Sequence, residues 1–336
     1  MNKLEFFREM MVELEKFYEA LLPYQSFAIP KLEGIELYGM TVPFHDYGGD
    51  WITWQGFAER HDLPKRIAGA YDERLRRLTA WRDFQKLKRN CTAAADLSTL
   101  ESLLHRDYLS AKNKHKKLVE SSQKAGVFVI DVMGHYDFAG PFLTARIHDL
   151  FRMGTIYELK ENGHITPFLF DNIDARLTLT SGFKLLATMI YGEISSDGVF
   201  KCISAGHPNP YIFSYEFNRF MDTSFIKNSM VVGMPELPLS FVDREKFPHI
   251  SKVRPEYVLN TIHLKSPKDV ILLYTDGLTD RENSIGEFFA PDYLEQAVRE
   301  YKDLPAEEMC RKIIAAAENF AKPSDDTTLV VIKRSR

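Results

Sequence analysis

Three aspartates stand in similar places along the chain and could share one chemical task. Asp131 ends the apolar run 126–131, Asp276 ends the run 269–276, and Asp325 precedes the last apolar run of the chain. A carboxylate is costly to bury without a partner. For any one such acid the ordinary partner is a loop amide or a lysine, since Asp is common before Gly in turns. Several acids at one sheet edge favour a divalent cation instead, and oxygen ligands favour Mg²⁺ or Mn²⁺ over zinc.

Other chemistries have weaker support in the sequence. The three cysteines, Cys91, Cys202 and Cys310, are far apart and odd in number, so they form neither a zinc-binding spacing nor a disulfide framework. They predict a reduced, cytoplasmic setting. The sequence contains no His-x-x-x-His pair that would compete for a metal and no obvious nucleotide-binding loop.

The composition argues against several functional classes. The 336 residues are 45% hydrophobic and 27% charged, which is typical of a soluble protein with a sizeable core. A net charge of −4 and a pI near 6.2 give no reason to expect nucleic acid or an anionic membrane as a partner. No apolar run reaches the roughly 18 residues needed to span a membrane. We therefore expect a soluble cytoplasmic protein.

The elements that would position these acids are strands in pairs with helices grouped between them. Short apolar or alternating runs predict strands at 35–40, 49–54, 126–131, 183–191, 198–203, 211–213, 269–276 and 328–332. Helices are predicted at 138–153, 291–301 and 305–321. This grouping predicts an α+β domain with antiparallel sheets.

Two further helical segments flank or interrupt these strands. Residues 1–24 predict an amphipathic helix whose apolar side chains follow a coiled-coil spacing: Leu4, Phe7, Met11, Leu14, Tyr18 and Leu21. Three heptads fit a dimerising coiled coil and a helix lying on its own domain equally well. Residues 57–124 predict two charged helices, the second with a basic end at 112–117. This segment is either a helical hairpin packed on the main domain or an arm that binds a partner or dimerises.

Five short motifs occur in order and carry a family resemblance. They are Gly-Gly-Asp-Trp at 48–51, Asp-Val-Met-Gly-His at 131–135, Ala-Gly-His-Pro-Asn-Pro at 205–210, Leu-Tyr-Thr-Asp-Gly-Leu-Thr-Asp at 273–280, and Asp-Asp-Thr-Thr at 325–328. The series resembles the bacterial SpoIIE/RsbU-type branch of the metal-dependent type 2C (PPM) protein serine/threonine phosphatases. The resemblance covers about 25–56 and 125–334.

The resemblance implies a fold and a division of the chain. The fold is an αββα sandwich of two antiparallel β-sheets flanked by helices. Residues 25–336 would form the phosphatase domain, interrupted by the helical insertion at about 57–124 and preceded by the amino-terminal helix at 1–24.

The resemblance also implies a centre with two Mn²⁺ or Mg²⁺ ions. Asp131 matches the aspartate that bridges both ions, and Val132 matches the neighbour that offers a backbone carbonyl. Asp276 and Asp325 match ligands of the first ion, and Asp50 matches an acid near the second. Two such ions would activate a water that attacks phosphorus directly. Neither His135 nor His207 is placed by the motifs as a general acid, and His207 is expected to organise a turn.

The implied activity is dephosphorylation of a regulatory phosphoprotein, such as a STAS-type anti-sigma-factor antagonist or a similar partner-switching protein. A homodimer and a regulatory partner at the helical insertion are also expected. Two alternatives remain open. One is a binding module with the phosphatase fold and little or no turnover, and the other is a two-metal hydrolase of small phosphoesters.

Overall fold

The computed structural model describes residues 28–44, 48–57, 63–89, 97–132, 139–180, 186–233 and 256–335. The helix predicted at 1–24 lies outside these residues. Within the described ranges, no helix combines the length and the apolar character needed to cross a membrane.

Ten strands and seven helices occur in the described residues. The strands are β1 (Ile35–Val42), β2 (Trp51–Gly56), β3 (Lys124–Val132), β4 (Ala187–Ser195), β5 (Val199–Ala205), β6 (Tyr211–Ser214), β7 (Arg219–Phe220), β8 (Asn260–His263), β9 (Val270–Tyr274) and β10 (Thr327–Arg334). The helices are α1 (Leu63–Arg89), α2 (Leu97–Ser122), α3 (Ala139–Glu161), α4 (Pro167–Thr180), α5 (Asp276–Thr279), α6 (Asp292–Tyr301) and α7 (Ala306–Phe320).

The chain divides into two compact units, one of residues 56–124 and one of residues 1–55 with 125–336. Apart from Gly56 at the end of β2 and Lys124 at the start of β3, the ten strands belong to the larger unit, and they form two five-stranded sheets. The first sheet has the order β1-β10-β9-β6-β7, and the second has the order β2-β3-β4-β5-β8. In the first sheet β10 runs antiparallel to both β1 and β9, with Thr327 opposite Val42 and Leu329 opposite Tyr274. The ends of these three strands therefore lie side by side.

The two sheets pack face to face around one apolar core. Its members come from strands of both sheets and include Ile35, Val127, Val129, Ile190, Phe200, Ile271, Leu273, Val330 and Ile332. Alternate residues of the same strands point the other way, as the two-residue period of a strand requires. The pattern is the core of a β-sandwich.

Helices cover the outer faces of the sandwich. On the first sheet, Leu272 and Val331 pack with Leu294 of α6 and Ile313 of α7 in a second apolar cluster. On the second sheet, Phe128 of β3 stacks on Phe151 of α3, with 4.0 Å between ring centroids and 10° between planes. The predicted αββα sandwich of antiparallel sheets is confirmed.

The smaller unit, residues 56–124, is a hairpin of α1 and α2. Trp81 of α1 stacks on His105 of α2 at 4.9 Å, and Arg77 pairs with Asp107 at 3.3 Å. Near the other end of α1, Ile67 and Ala70 pack with Leu118. Since later residues of α1 meet earlier residues of α2, the two helices are antiparallel. In sequence, this hairpin connects β2 to β3, which are neighbours in the second sheet.

Some predicted boundaries are wrong. Helix α4 was not predicted, and α3 continues to Glu161 instead of ending near 153. Strand β9 ends at Tyr274, so Asp276 does not end a strand; it is the first residue of α5, after an extended Thr275. The short helix forms because Leu278 donates its N–H to the Thr275 carbonyl and Asp280 donates to the Asp276 carbonyl.

Candidate active site

Asp131 lies near the end of β3, where three other carboxylates influence it. Burial raises the pKa of the Asp131 carboxyl to about 7, and repulsion from the charges of Asp276, Asp325 and Asp326 adds to that rise. Asp131 is 145 residues from Asp276 in sequence, and Asp276 is 49 residues from Asp325. The fold therefore brings Asp131, Asp276 and Asp325, the three predicted ligands, within electrostatic reach of one another.

Asp50 comes directly before β2 and is held by two threonine hydroxyls. Its Oδ2 accepts hydrogen bonds from Thr275 Oγ1 at 2.6 Å and from Thr328 Oγ1 at 2.8 Å. Burial raises the pKa of Asp50 well above its ordinary value, and the Asp131 charge raises it further, while the two threonine hydrogen bonds lower it. Asp50 is thus part of the same cluster as Asp131.

A buried arginine joins the two turns that carry Asp276 and Asp325. The Arg281 side chain is 1% exposed. Its Nε donates to the Gly277 carbonyl at 3.1 Å, one terminal nitrogen donates to Thr327 Oγ1 at 2.8 Å, and the other donates to the Ala321 carbonyl at 3.1 Å. These bonds fix the start of α5 against the turn before β10.

Asp326 faces the loop between β1 and β2. Its Oδ1 accepts the Phe44 N–H at 2.7 Å, and its Oδ2 accepts the N–H groups of Gly49 at 2.5 Å and Asp50 at 3.3 Å. The Asp326 residue is 3% exposed. Both of its carboxylate oxygens are therefore engaged by backbone donors.

Among the described residues, the candidate metal donors at this end of the sandwich are carboxylate oxygens. The mutual repulsion that raises the pKa of Asp131 would be relieved by a cation, so the residues fit a hard divalent metal in chemical type and charge. Over the described ranges, however, no three Asp, Glu, His or Cys side chains come together closely enough to form a metal-binding group. In the described residues, the carboxylates are thus near enough to repel one another but are not arranged as the ligands of a bound ion.

Val132 follows Asp131 within β3, and its side chain is fully buried. His135 lies outside the described residues. His207 is also fully buried, and a hydrogen bond joins its Nδ1 to Thr188 Oγ1 at 2.9 Å. Burial lowers the pKa of His207 to about 3, so the ring is neutral at physiological pH. This supports the interpretation that His207 organises its turn.

Sequence reasoning missed four side chains that build the site: Thr275, Thr328, Arg281 and, in its observed role, Asp326. The two threonines stand inside motifs that were recognised for their aspartates. Their hydroxyls, at 2.6 and 2.8 Å from Asp50, give them a role that the motifs alone do not reveal. Arg281 carried no signal, because an arginine in a polar turn is ordinarily solvent-exposed.

Comparisons with known proteins agree with this architecture. A family model described as "Stage II sporulation protein E (SpoIIE)" matches residues 121–335. A search of curated proteins gave no match. The structure of the RsbU and RsbW domains of a Mycobacterium tuberculosis protein aligns with 91% of this chain and 62% of its own, at 16% identity and a TM-score of 0.54. The SiaA-PP2C domain of Pseudomonas aeruginosa aligns with 89% of this chain and 86% of its own, at 12% identity and a TM-score of 0.52.

This chain thus spans less than two thirds of the Mycobacterium tuberculosis structure. At identities of 16% and 12%, these two structures support the fold alone.

Proposed function

This chain belongs to the SpoIIE family of PP2C-type serine/threonine protein phosphatases, and on that premise we propose that it is a metal-dependent enzyme acting on a phosphorylated regulatory protein. The observation that carries the proposal is the convergence of charge at Asp131. Among the described residues, the neighbours that shift the pKa of this buried carboxyl are the carboxylates of Asp276, Asp325 and Asp326, and each one raises it. A fold gains nothing in stability from such a cluster, whereas a cation site requires it.

We assign the metal roles as the family motif places them. Asp131 would bind both Mn²⁺ or Mg²⁺ ions with help from the Val132 carbonyl, Asp276 and Asp325 would hold the first ion, and Asp50 would support the second. When bound, the two ions supply a water of lowered pKa and neutralise charge on the phosphoryl group. The protein's own part is to hold the carboxylates in place, because phosphoryl transfer depends mainly on positioning and charge stabilisation.

The proposed substrate is a phosphoserine or phosphothreonine protein of a partner-switching system, such as an anti-sigma-factor antagonist of the STAS type. Family membership supports this class. One similar structure also joins an RsbU domain to an RsbW domain, which is consistent with such a regulatory setting. A homodimer formed through residues 1–24 belongs to the same proposal.

The hairpin of α1 and α2 is proposed as the surface for a regulatory partner. Residues 56–124 contain 16 Lys and Arg but only 9 Asp and Glu, a net charge of +7. Several of these acids already pair with basic residues of the hairpin: Glu73 with Arg77, Asp107 with Arg77, and Glu101 with Lys88. Exposed leucines, among them Leu75, Leu87 and Leu103, lie between the basic positions. This mixture fits an acidic protein surface with apolar side chains.

The activity is tested by Mn²⁺-dependent hydrolysis of p-nitrophenyl phosphate and of a phosphoserine peptide. Wild type is compared with Asp131→Asn and Asp276→Asn. Asp292→Asn is the control, because Asp292 is an exposed residue of the first turn of α6. We expect both site variants to lose at least about 100-fold in kcat, and the control to retain wild-type turnover. Equal activity in all four proteins would refute the two-metal assignment. Tight Mn²⁺ binding without turnover would favour the alternative, a binding module.

The hairpin is tested separately, by replacing residues 58–123 with a short flexible linker. We expect metal-dependent hydrolysis of p-nitrophenyl phosphate to persist and the response to the physiological regulator to disappear. A shortened protein that still responds normally to its regulator would show that the hairpin has no regulatory role.

A further inference from the structure

We propose that Asp326 is a positioning residue: its carboxylate acts as an anion clamp that fixes the loop before β2 and thereby places Asp50, and it is not a metal ligand. The role of Asp50 in this proposal rests on the function proposed above. The clamp itself is a feature of the fold and can be tested without metal or substrate.

The contacts of Asp326 are those of a carboxylate used to organise a loop. Three backbone N–H groups, from Phe44, Gly49 and Asp50, point at its two oxygens at 2.5 to 3.3 Å. Hydrogen bonds from amides to an ionised carboxylate are roughly twice as strong as neutral ones. A residue with both oxygens engaged in this way has little free capacity to bind a metal. Its neighbour Asp325 instead uses Oδ1 to accept the Asp326 N–H at 2.7 Å.

The loop is shaped to admit this carboxylate. A Cβ atom added at Gly48 would lie 2.7 Å from Oδ2 and 2.9 Å from Cγ of Asp326. Carbon atoms do not approach that closely in proteins, so a side chain at position 48 would push the carboxylate away from its donors. On the other side, a Cβ at Gly277 would lie 1.9 Å from the Asp326 carbonyl oxygen. Asp326 therefore fits between Gly48 and Gly277 only because neither residue has a side chain.

Asp326 affects the site through its hydrogen bond with the Asp50 backbone. Asp326 holds the Asp50 backbone N–H, while Thr275 and Thr328 hold the Asp50 carboxylate. Thr275 and Thr328 are themselves linked, because Thr275 Oγ1 accepts the Thr328 N–H at 3.0 Å. Asp50 is thus fixed at both its backbone and its side chain by residues at the adjoining ends of β9 and β10. Loss of Asp326 would release the backbone while leaving the threonine contacts in place.

Backbone amide exchange, followed by NMR in the presence of EDTA, tests the clamp directly. We expect the amides of Phe44 and Gly49 to exchange at least about tenfold faster in Asp326→Ala than in wild type. Asp326→Asn, which keeps the shape but offers one acceptor oxygen fewer, is the second variant in case the alanine protein does not fold. It should lose protection at one or both of these amides. Unchanged protection at both amides in the folded variant would overturn the proposal.

Asp269 offers a matched control at the other end of β9. It is also a buried aspartate that joins loops, since Oδ1 accepts the Tyr215 N–H at 2.9 Å and Oδ2 accepts the Ser266 N–H at 2.8 Å. Asp269→Asn should speed exchange at Tyr215 and Ser266 and leave Phe44 and Gly49 protected. Equal loss at Phe44 in both variants would show general loosening and would also overturn the proposal.

A double-variant comparison separates positioning from ligation. Mn²⁺ affinity is measured by calorimetry for Asp50→Asn, Asp326→Asn and the double variant. If Asp326 acts through Asp50, the double variant binds Mn²⁺ about as tightly as Asp50→Asn alone. A further loss of tenfold or more in the double variant would identify Asp326 as an independent ligand and refute the proposal. A wild type that binds no Mn²⁺ would instead count against the proposed function, while the exchange experiment would still decide on the clamp.

Discussion

Replacing Asp131 with asparagine should have opposite effects on stability with and without metal. In the metal-free protein, burial and the charges of Asp276, Asp325 and Asp326 oppose ionisation of this carboxyl. Asparagine has nearly the same shape and no charge, so it removes that repulsion. We expect metal-free Asp131→Asn to be more stable than metal-free wild type at alkaline pH.

The sign and size follow from the pKa values. The folded-state pKa of Asp131 is about 7, against an ordinary value of 3.8 for an aspartate in the unfolded chain. Between these values the folded state binds more protons than the unfolded state, so its stability falls as the pH rises. A rise of about three units in the pKa of Asp131 lowers the free energy of unfolding by at most about 4 kcal/mol above pH 7, at about 1.36 kcal/mol per unit. At pH 5 the same linkage lowers the stability of the folded state by less than about 2 kcal/mol. The advantage of the asparagine variant should shrink accordingly on acidification.

Urea unfolding in EDTA at pH 5 and pH 8 measures this difference. Trp81 belongs to the hairpin, so a Trp81→Phe background confines tryptophan fluorescence to Trp51 and Trp54, which both lie on β2 of the sandwich. Asp292→Asn in the same background is the control for loss of one carboxylate. With Mn²⁺ at roughly 10,000 times its dissociation constant, wild type should gain about 5.4 kcal/mol, whereas an Asp131 variant that no longer binds Mn²⁺ gains nothing. The order of stability should then reverse.

Two results would refute this reasoning. If Asp131→Asn is less stable than wild type in EDTA at pH 8, the carboxylates do not repel one another as the structure indicates. If the difference between the two proteins is the same at pH 5 and pH 8, Asp131 does not titrate in this range.

Three other substitutions test the supports of the site and the core. Thr275→Val removes a donor to Asp50 and leaves the Thr328 N–H without its acceptor, so it should cost about 1–3 kcal/mol in urea unfolding and reduce phosphatase turnover. Arg281→Met should cost about 3 kcal/mol or more, because two buried acceptors and the partly buried Ala321 carbonyl lose a charged donor. Asp131 variants should not show the same loss of thermal stability. Phe151→Ala removes the stack on Phe128 and should cost about 3–5 kcal/mol, with kcat of the folded, metal-loaded protein within about twofold of wild type.

The strand positions were largely predictable because their side chains follow simple rules. β9 and β10 are buried on both faces, since one face meets the other sheet and the other meets α6 and α7. β9 is accordingly a continuous apolar run, and β10 contains one at 329–332. The sandwich itself did not follow from periodicity, which indicated only an α+β domain. It followed from the ordered motifs, because residues that must meet at one site constrain which strand ends lie together.

Helix α4 shows why other elements escaped prediction. Nine of its 14 residues, Pro167–Thr180, are Pro, Asp, Asn, Phe, Ile or Thr, none of which has a strong helix propensity. Contacts distant in sequence support it instead: Phe170 packs against Tyr257, and just before the helix the Ile165 N–H donates to Glu193 at 2.8 Å. A helix stabilised mainly by tertiary packing leaves little trace in its own residues.

The supports of the site were hidden for a similar reason. A motif identifies Asp276 and Asp325 by type and spacing, but the role of Asp326 depends on which loop lies opposite it. That loop is 276 to 282 residues away in sequence, and its contribution is backbone N–H groups, which every residue except proline possesses. Sequence therefore identifies the charged groups more readily than the neutral donors that hold them.

The distribution of charge gives the two units opposite electrostatic characters. Residues 56–124 carry +7, and because the whole chain carries −4, the unit with the sandwich carries −11. A phosphoryl group approaching Asp131, Asp276 and Asp325 would meet like charge from both the site and the unit around it, and repulsion of that kind disfavours binding. Under the proposed function, cations at the site would admit the substrate as well as activate water. An acidic protein partner, by contrast, would be attracted to the basic hairpin whether or not the site holds metal. Under the proposed function, partner binding would then depend on ionic strength and catalysis on the divalent cation, so the two could be regulated independently.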